Sequence, residues 1–152
     1  MWCLFRVIVA ARCYLKLQAR NEVMITKFDE ISIVSMLRER LDSLKLVYLF
    51  GSQASGGATP ESDIDLGVCC LTPFYPVVRY ELEQDLAVEF SCYVALVDMV
   101  VAGDVVNKEI VENGVLLFGN TESADRYELN VYSDYQAHKL RVTDLESDLR
   151  RV

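Results

Sequence analysis

The sequence predicts an α/β (α+β) fold: a sheet packed with helices and followed by a long C-terminal helix. Three observations predict it. Short apolar runs of strand character recur at 44–50, 63–70 and 93–100. Stretches with a 3.6-residue apolar period separate them. The tail from about residue 124 keeps one such period for some 27 residues. At 152 residues, 52% apolar and 25% charged, the chain is long enough for one domain with a sizeable core, and too apolar to stay disordered.

The elements follow in order. Thr26 and Asp29 have capping-box spacing, and Phe28, Ile31, Val34, Leu37, Leu41 and Leu44 then fall on one face, so 27–44 reads as an amphipathic helix. LKLVYLF (44–50) reads as a buried strand ending at Gly51-Ser52. GSQASGGATPES (51–62) is a Gly-rich loop with room for one helical turn at its start. DIDLGVCC (63–70) alternates, with Asp63, Asp65 and Gly67 on one side and Ile64, Leu66 and Val68 on the other. Pro73 and Pro76 bracket a turn before a helix over 79–90, with Leu82, Leu86 and Phe90 inward. YVALVDMV (93–100) is a third strand, and 105–113 a helix stopped by Gly114. VLLF (115–118) is a short edge strand. The last helix, 124–150, carries the stripe Tyr127, Val131, Tyr135, His138, Val142, Leu145 and Leu149. Tyr127, Tyr132 and Tyr135 serve either an interface or packing on the sheet, and His138, the sole histidine, reads as a packed or partner-facing residue.

Charge and cysteine usage narrow the function. The net charge is −8, which disfavours direct nucleic-acid binding and makes any phosphate chemistry depend on a metal. Arg6, Arg12, Lys16 and Arg20 face no acid within residues 1–20, whereas from Met24 onward acids outnumber bases 22 to 11. Residues 1–23 therefore read as an N-terminal extension of uncertain role, ahead of a domain over 24–152. No apolar stretch reaches the roughly 18–20 residues of a membrane span, so no membrane partner is expected. Cys3, Cys13, Cys69, Cys70 and Cys92 form neither a disulfide framework nor a zinc pattern, which suits a reducing, cytoplasmic setting.

The informative segment is LFGSQASGGATPESDIDL (49–66). Gly51 lets the chain turn sharply off a strand and leaves space for a phosphate. Ser52 offers a hydroxyl and a backbone N–H at the head of a helical turn. Asp63 and Asp65, two apart, project to one side and repel each other unless a cation intervenes. Mg²⁺ suits such oxygen ligands when substrate phosphates complete its shell.

This Gly-Ser, ten residues, Asp-x-Asp spacing resembles the polymerase-beta-like nucleotidyltransferase superfamily. The YLFGSQASG opening and the SDIDL strand are similar to its minimal (MNT-domain) members, the antitoxins of the MNT/HEPN (MntA/HepT) type. The resemblance spans roughly residues 24–150. It implies a minimal nucleotidyltransferase fold with a mixed sheet, Mg²⁺ as cofactor and ATP as substrate. It also implies AMP transfer to a tyrosine of a partner HEPN-family RNase toxin. By position, Gly51 and Ser52 would bind the nucleotide, and Asp63 and Asp65 would be catalytic and hold the metal. The family's third carboxylate, on the following strand, falls at Ala95. Asp98 is the nearest acid, but an odd separation puts it on the other face of a regular strand. Two alternatives stay open: an antitoxin that neutralises by binding, with weak or absent catalysis, and a small-molecule nucleotidyltransferase, for whose usual second domain 152 residues leave little room.

Overall fold

The computed structural model describes residues 29–59 and 62–149, without the side chains of 144 and 147–149. The elements are α1 (Glu30–Arg40), β1 (Leu44–Phe50), α2 (Ser52–Ser55), β2 (Ile64–Cys70), α3 (Pro76–Phe90), β3 (Val94–Asp98), α4 (Asp104–Asn113), β4 (Val115–Phe118) and α5 (Thr121–Leu149). The strand order is β3-β2-β1-β4. β1 runs antiparallel to β2 and β4, and β2 runs parallel to β3, so the sheet is mixed.

Strand alternation divides the core in two. Val47, Leu49, Ile64, Leu66, Val68, Val94 and Leu96 face α1 and α3, where Ile33, Leu37, Leu82 and Leu86 meet them. Leu46, Tyr48 and Cys69 face α4 and α5, where Ile110, Val111, Ala124 and Val131 close the other layer. Gly67 lies on this second face because α4 comes close to β2 there: a Cβ at Gly67 would sit 2.8 Å from Ile110 Cγ2. Arg40 pairs with Glu81 at 2.5 Å and Asp85 at 3.6 Å, tying α1 to α3 on the surface.

The structure revises several expectations. Asp29 itself caps α1, accepting from Ile31 N at 3.1 Å and Ser32 Oγ at 3.1 Å. Thr26, Phe28 and the N-terminal extension lie outside the described residues. The buried face of α1 is Ile33 and Leu37, whereas Ile31 is 77% exposed. The cap fixes where the helix begins, and the sheet buries Leu37 and Leu41 of the expected stripe while taking Ile33 in place of Ile31. α3 begins at Pro76 rather than at 79, since proline is preorganised for the first helical turn, where its missing N–H costs nothing. α5 begins at Thr121, three residues earlier than its stripe. That stripe packs only along its first part. Val131 is buried and Tyr127 donates to Met99 O at 3.2 Å, while Val142 and Leu145 are exposed. Tyr127 and Tyr132 pack against the second core. His138 Nδ1 lies 3.6 Å from Asp104 Oδ2, which places it on α5 beside the start of α4.

The free edge of the sheet is managed by side chains. Glu83 on α3 accepts from Leu96 N at 2.9 Å and satisfies an amide of the edge strand β3. β3 stops at Asp98, which is 6% exposed. Asp98 Oδ1 accepts from Val100 N at 3.0 Å, and Oδ2 accepts from Phe74 N at 3.1 Å. One carboxylate thus holds the turn after β3 against the loop after β2. Asp98→Asn replaces an acceptor by a donor facing an N–H. It is expected to lower unfolding free energy by about 1–3 kcal/mol, read by urea denaturation.

Candidate active site

β1 and β2 are neighbours, and their pairing puts Phe50 opposite Asp65. Gly51 follows Phe50, so the turn off β1 arrives beside Asp65. The approach is too close for a side chain. A Cβ on Gly51 would overlap Asp65 Oδ2 and sit 3.3 Å from Asp65 Cγ. Gly51 also holds φ +70°, a region costly for other residues. The positive φ calls for glycine, and the contact means that any side chain here would displace the Asp65 carboxylate.

α2 is the single helical turn expected after Gly51-Ser52. Its cap is Gly51, whose carbonyl accepts from Ala54 N and Ser55 N at 3.2 Å each. Glycine contributes no capping side chain, so α2 opens on backbone alone. Ser52 is half-buried at its head.

The carboxylates occupy different settings. Asp63 lies just before β2 and is exposed; Asp65 lies within β2 and is half-buried, on the same face as Gly67. Burial raises the proton affinity of Asp65 above the ordinary aspartate range, and the charge of Asp63 raises it further. A carboxylate pair that still repels at neutral pH is what a divalent cation would relieve. The donor set fits Mg²⁺, which commonly takes one or two carboxylates and completes its shell with water and phosphate oxygens. Among the described residues no group of three or more His, Cys, Asp or Glu could hold a metal.

Across the parallel pair, Asp65 is in register with Ala95, and Val68 with Asp98. Ala95 therefore shares the face of Asp65, directly beside it, and Asp98 lies on the opposite one. Both oxygens of Asp98 are occupied by backbone amides, so it is a structural residue. Lys45 sits at the far end of β1 from Gly51. Cys69 and Cys70 are free thiols, and burial first, then the charges of Cys70 and Asp98, push Cys69 up to about 11, which keeps it protonated and unreactive.

Sequence reasoning passed over Gln53. It follows Ser52 in a run of small polar residues that reads as solvated loop, yet it is 7% exposed, and its Nε2 donates to Ser62 O at 3.1 Å. Ser62 immediately precedes Asp63. Its hydroxyl accepts from Thr59 N at 2.8 Å, and its amide donates to Thr59 O at 3.0 Å. The only advance signal was position: a long amide side chain between the two halves of the motif.

Known proteins resemble this chain in sequence and in fold. The Polymerase beta, Nucleotidyltransferase family matches residues 31–123, which include both halves of the motif and Ala95. A protein adenylyltransferase, MntA, from Shewanella oneidensis is 33% identical over 110 residues, 72% of this chain and 79% of that protein. A chain in a crystal structure of a toxin–antitoxin with AMP-PNP superposes with a TM-score of 0.75 at 30% identity, covering 81% of this chain and 99% of that one. A chain in the complex of a tri-AMPylated Shewanella oneidensis HEPN toxin with an MNT antitoxin superposes at 0.68 with 29% identity, covering 80% and 95%. With the Gly51–Asp65 junction in place on this mixed sheet, the chain belongs to the polymerase-beta nucleotidyltransferase family and is a minimal member of the MntA type.

Proposed function

We propose that this chain is an antitoxin-type protein adenylyltransferase: it transfers AMP from ATP to a tyrosine of a partner HEPN-family RNase toxin and so neutralises it. The observation that carries this is the junction of Gly51 with Asp65, which sets the Gly-Ser turn directly against the carboxylate pair. Support for the substrates comes from the relatives. One is named a protein adenylyltransferase, one was crystallised with AMP-PNP, and one stands in complex with an AMPylated HEPN toxin. Free thiols and an acidic chain suit a cytoplasmic site of action.

Each residue has a task in this chemistry. Gly51 leaves the triphosphate room to reach the backbone, and Ser52 donates from its hydroxyl and amide to phosphate oxygens. Asp63 and Asp65 would hold Mg²⁺, which when bound neutralises the charge of the triphosphate. The tyrosine oxygen forms a bond to the α-phosphorus, and the bond from that phosphorus to the bridging oxygen breaks, releasing pyrophosphate. Ala95 occupies the third-carboxylate position and offers no base, so the phenolic proton passes to water.

Ala95 also favours a second reading, in which catalysis is slow or absent and neutralisation rests on binding the toxin. Loss of a general base commonly slows such a step by on the order of 10²–10⁴-fold. The two readings separate in an assay of label transfer from α-labelled ATP to the toxin. Under the enzyme reading, Asp63→Asn and Asp65→Asn abolish transfer while the toxin is still bound. Full transfer by either variant would refute the assignment of the pair. Ala95→Asp is expected to raise the rate by on the order of 10²-fold. An unchanged rate would show that position 95 is not the missing carboxylate.

Stability gives a second handle on Asp65. Its folded-state proton affinity is raised, so its ionisation costs folding free energy as pH rises through its folded pKa, and protonation removes that cost at lower pH. In EDTA at pH 7, Asp65→Asn is therefore expected to melt no lower than the wild type. The difference should shrink as pH falls below the Asp65 pKa. Added Mg²⁺ with AMP-PNP should raise the melting temperature of the wild type and leave Asp65→Asn unmoved, as followed by thermal scans.

A further inference from the structure

We infer that Gln53 is the positioning residue that couples the phosphate-binding turn to the cation-binding carboxylates; this rests on the nucleotidyltransferase reading and extends it to a residue outside the motif. The two halves of the site are joined by a glycine-rich stretch of chain. Gly56 and Gly57 are exposed, and a Cβ at Gly56 would meet nothing within 4 Å. Such a segment loses much conformational freedom when it is fixed. The β1–β2 ladder places Asp65 firmly, because Asp65 is inside a strand. Asp63 is exposed and precedes the first residue of β2; on its far side the Ile64 N–H donates to Tyr93 O at 2.9 Å, so the freedom left to it lies on the Ser62 side.

What holds the chain just ahead of Asp63 is Ser62, and Ser62 is held from both directions. The turn from Thr59 fixes its amide and hydroxyl, and Gln53 fixes its carbonyl. Gln53 is anchored in turn, since it is buried and lies in α2 directly after Ser52. One side chain thus spans nine residues of sequence and links the group that would meet phosphate to the segment that delivers Asp63. Glutamine suits the task. It is long enough to reach the far end of the loop, its amide donates to a carbonyl, and it adds no charge beside two carboxylates that already repel. An apolar side chain of the same length would leave the carbonyl facing it without a donor.

The test uses the full chain and Mn²⁺-loaded AMP-PNP, titrated calorimetrically into the wild type, Gln53→Met, Asp63→Asn and the double variant, with circular dichroism confirming the fold of each. Supporting groups around a metal ligand typically change affinity by about 10–100-fold, so Gln53→Met should bind at least about tenfold more weakly. The decisive comparison is the cycle. If Gln53 acts through Asp63, the double variant binds no more weakly than Asp63→Asn alone. If Gln53 were only a packing residue, its loss would be the same in both backgrounds, and that additivity would overturn the proposal. Unchanged affinity in Gln53→Met would overturn it too, leaving the nucleotidyltransferase reading intact. Failure of the wild type to bind would instead bring down that reading and this proposal with it. Should Gln53→Met not fold, Gln53→Ala carries the same comparison, because it removes the donor to the Ser62 carbonyl and adds no charge beside the carboxylates.

Discussion

The close approach of Gly51 to Asp65 is the constraint on which the rest of the site depends. A strand must end beside the carboxylate of its neighbour, with no side chain between them. That requires β1 and β2 to be adjacent and antiparallel, with Phe50 opposite Asp65. It requires a residue tolerant of φ +70°. It also requires the sheet to be held rigidly, which the two apolar layers do by burying alternate residues of β1 against α1/α3 and α4/α5. A shift of one residue in the register would turn Asp65 into the core and expose Leu66, so the hydrophobic pattern and the placement of the site enforce each other.

Much of this was legible in the sequence, for a physical reason. Strands β1 and β4 were readable to their end residues because buried strands are short apolar runs bounded by breakers. The Gly-Ser and Asp-x-Asp halves were readable because each departs from what folding alone would select, with small or repelling groups at the end of an apolar strand. The face of α1 was legible only in part: Leu37 and Leu41 are buried as the spacing expects, and Ile31 is not. Ile31 and Ile33 are equivalent as sequence, and only the position of the sheet decides which is buried. Pro76 misled for the opposite reason, because a proline that closes a turn and one that opens a helix share the same φ. Gln53 and Asp98 escaped because their partners are backbone groups distant in the chain, at Ser62 and Phe74. Backbone acceptors and donors carry no sequence signature.

Position 95 is where family pattern and structure need each other. The parity of a strand excludes Asp98 as a substitute, and the structure adds the reason: Asp98 is fully engaged in holding the turn after β3. The position beside Asp65 is left to a methyl group. This chain joins an intact pair of metal-suited carboxylates to a neighbour that supplies neither ligand nor base. Retention of the pair matters for the choice between enzyme and binding module. Burial and mutual repulsion make Asp65 costly to ionise. A chain that only bound its partner would gain nothing from that cost.

The most direct measurement is the intact mass of the HEPN toxin partner after incubation with this chain, ATP and Mg²⁺. An adenylyltransferase gives mass gains in whole AMP units, absent when ATP or the divalent cation is withheld. A toxin that is inhibited by the chain yet keeps its unmodified mass, at long times and with excess ATP, would contradict the adenylyltransferase reading and identify the chain as an antitoxin that acts by binding alone.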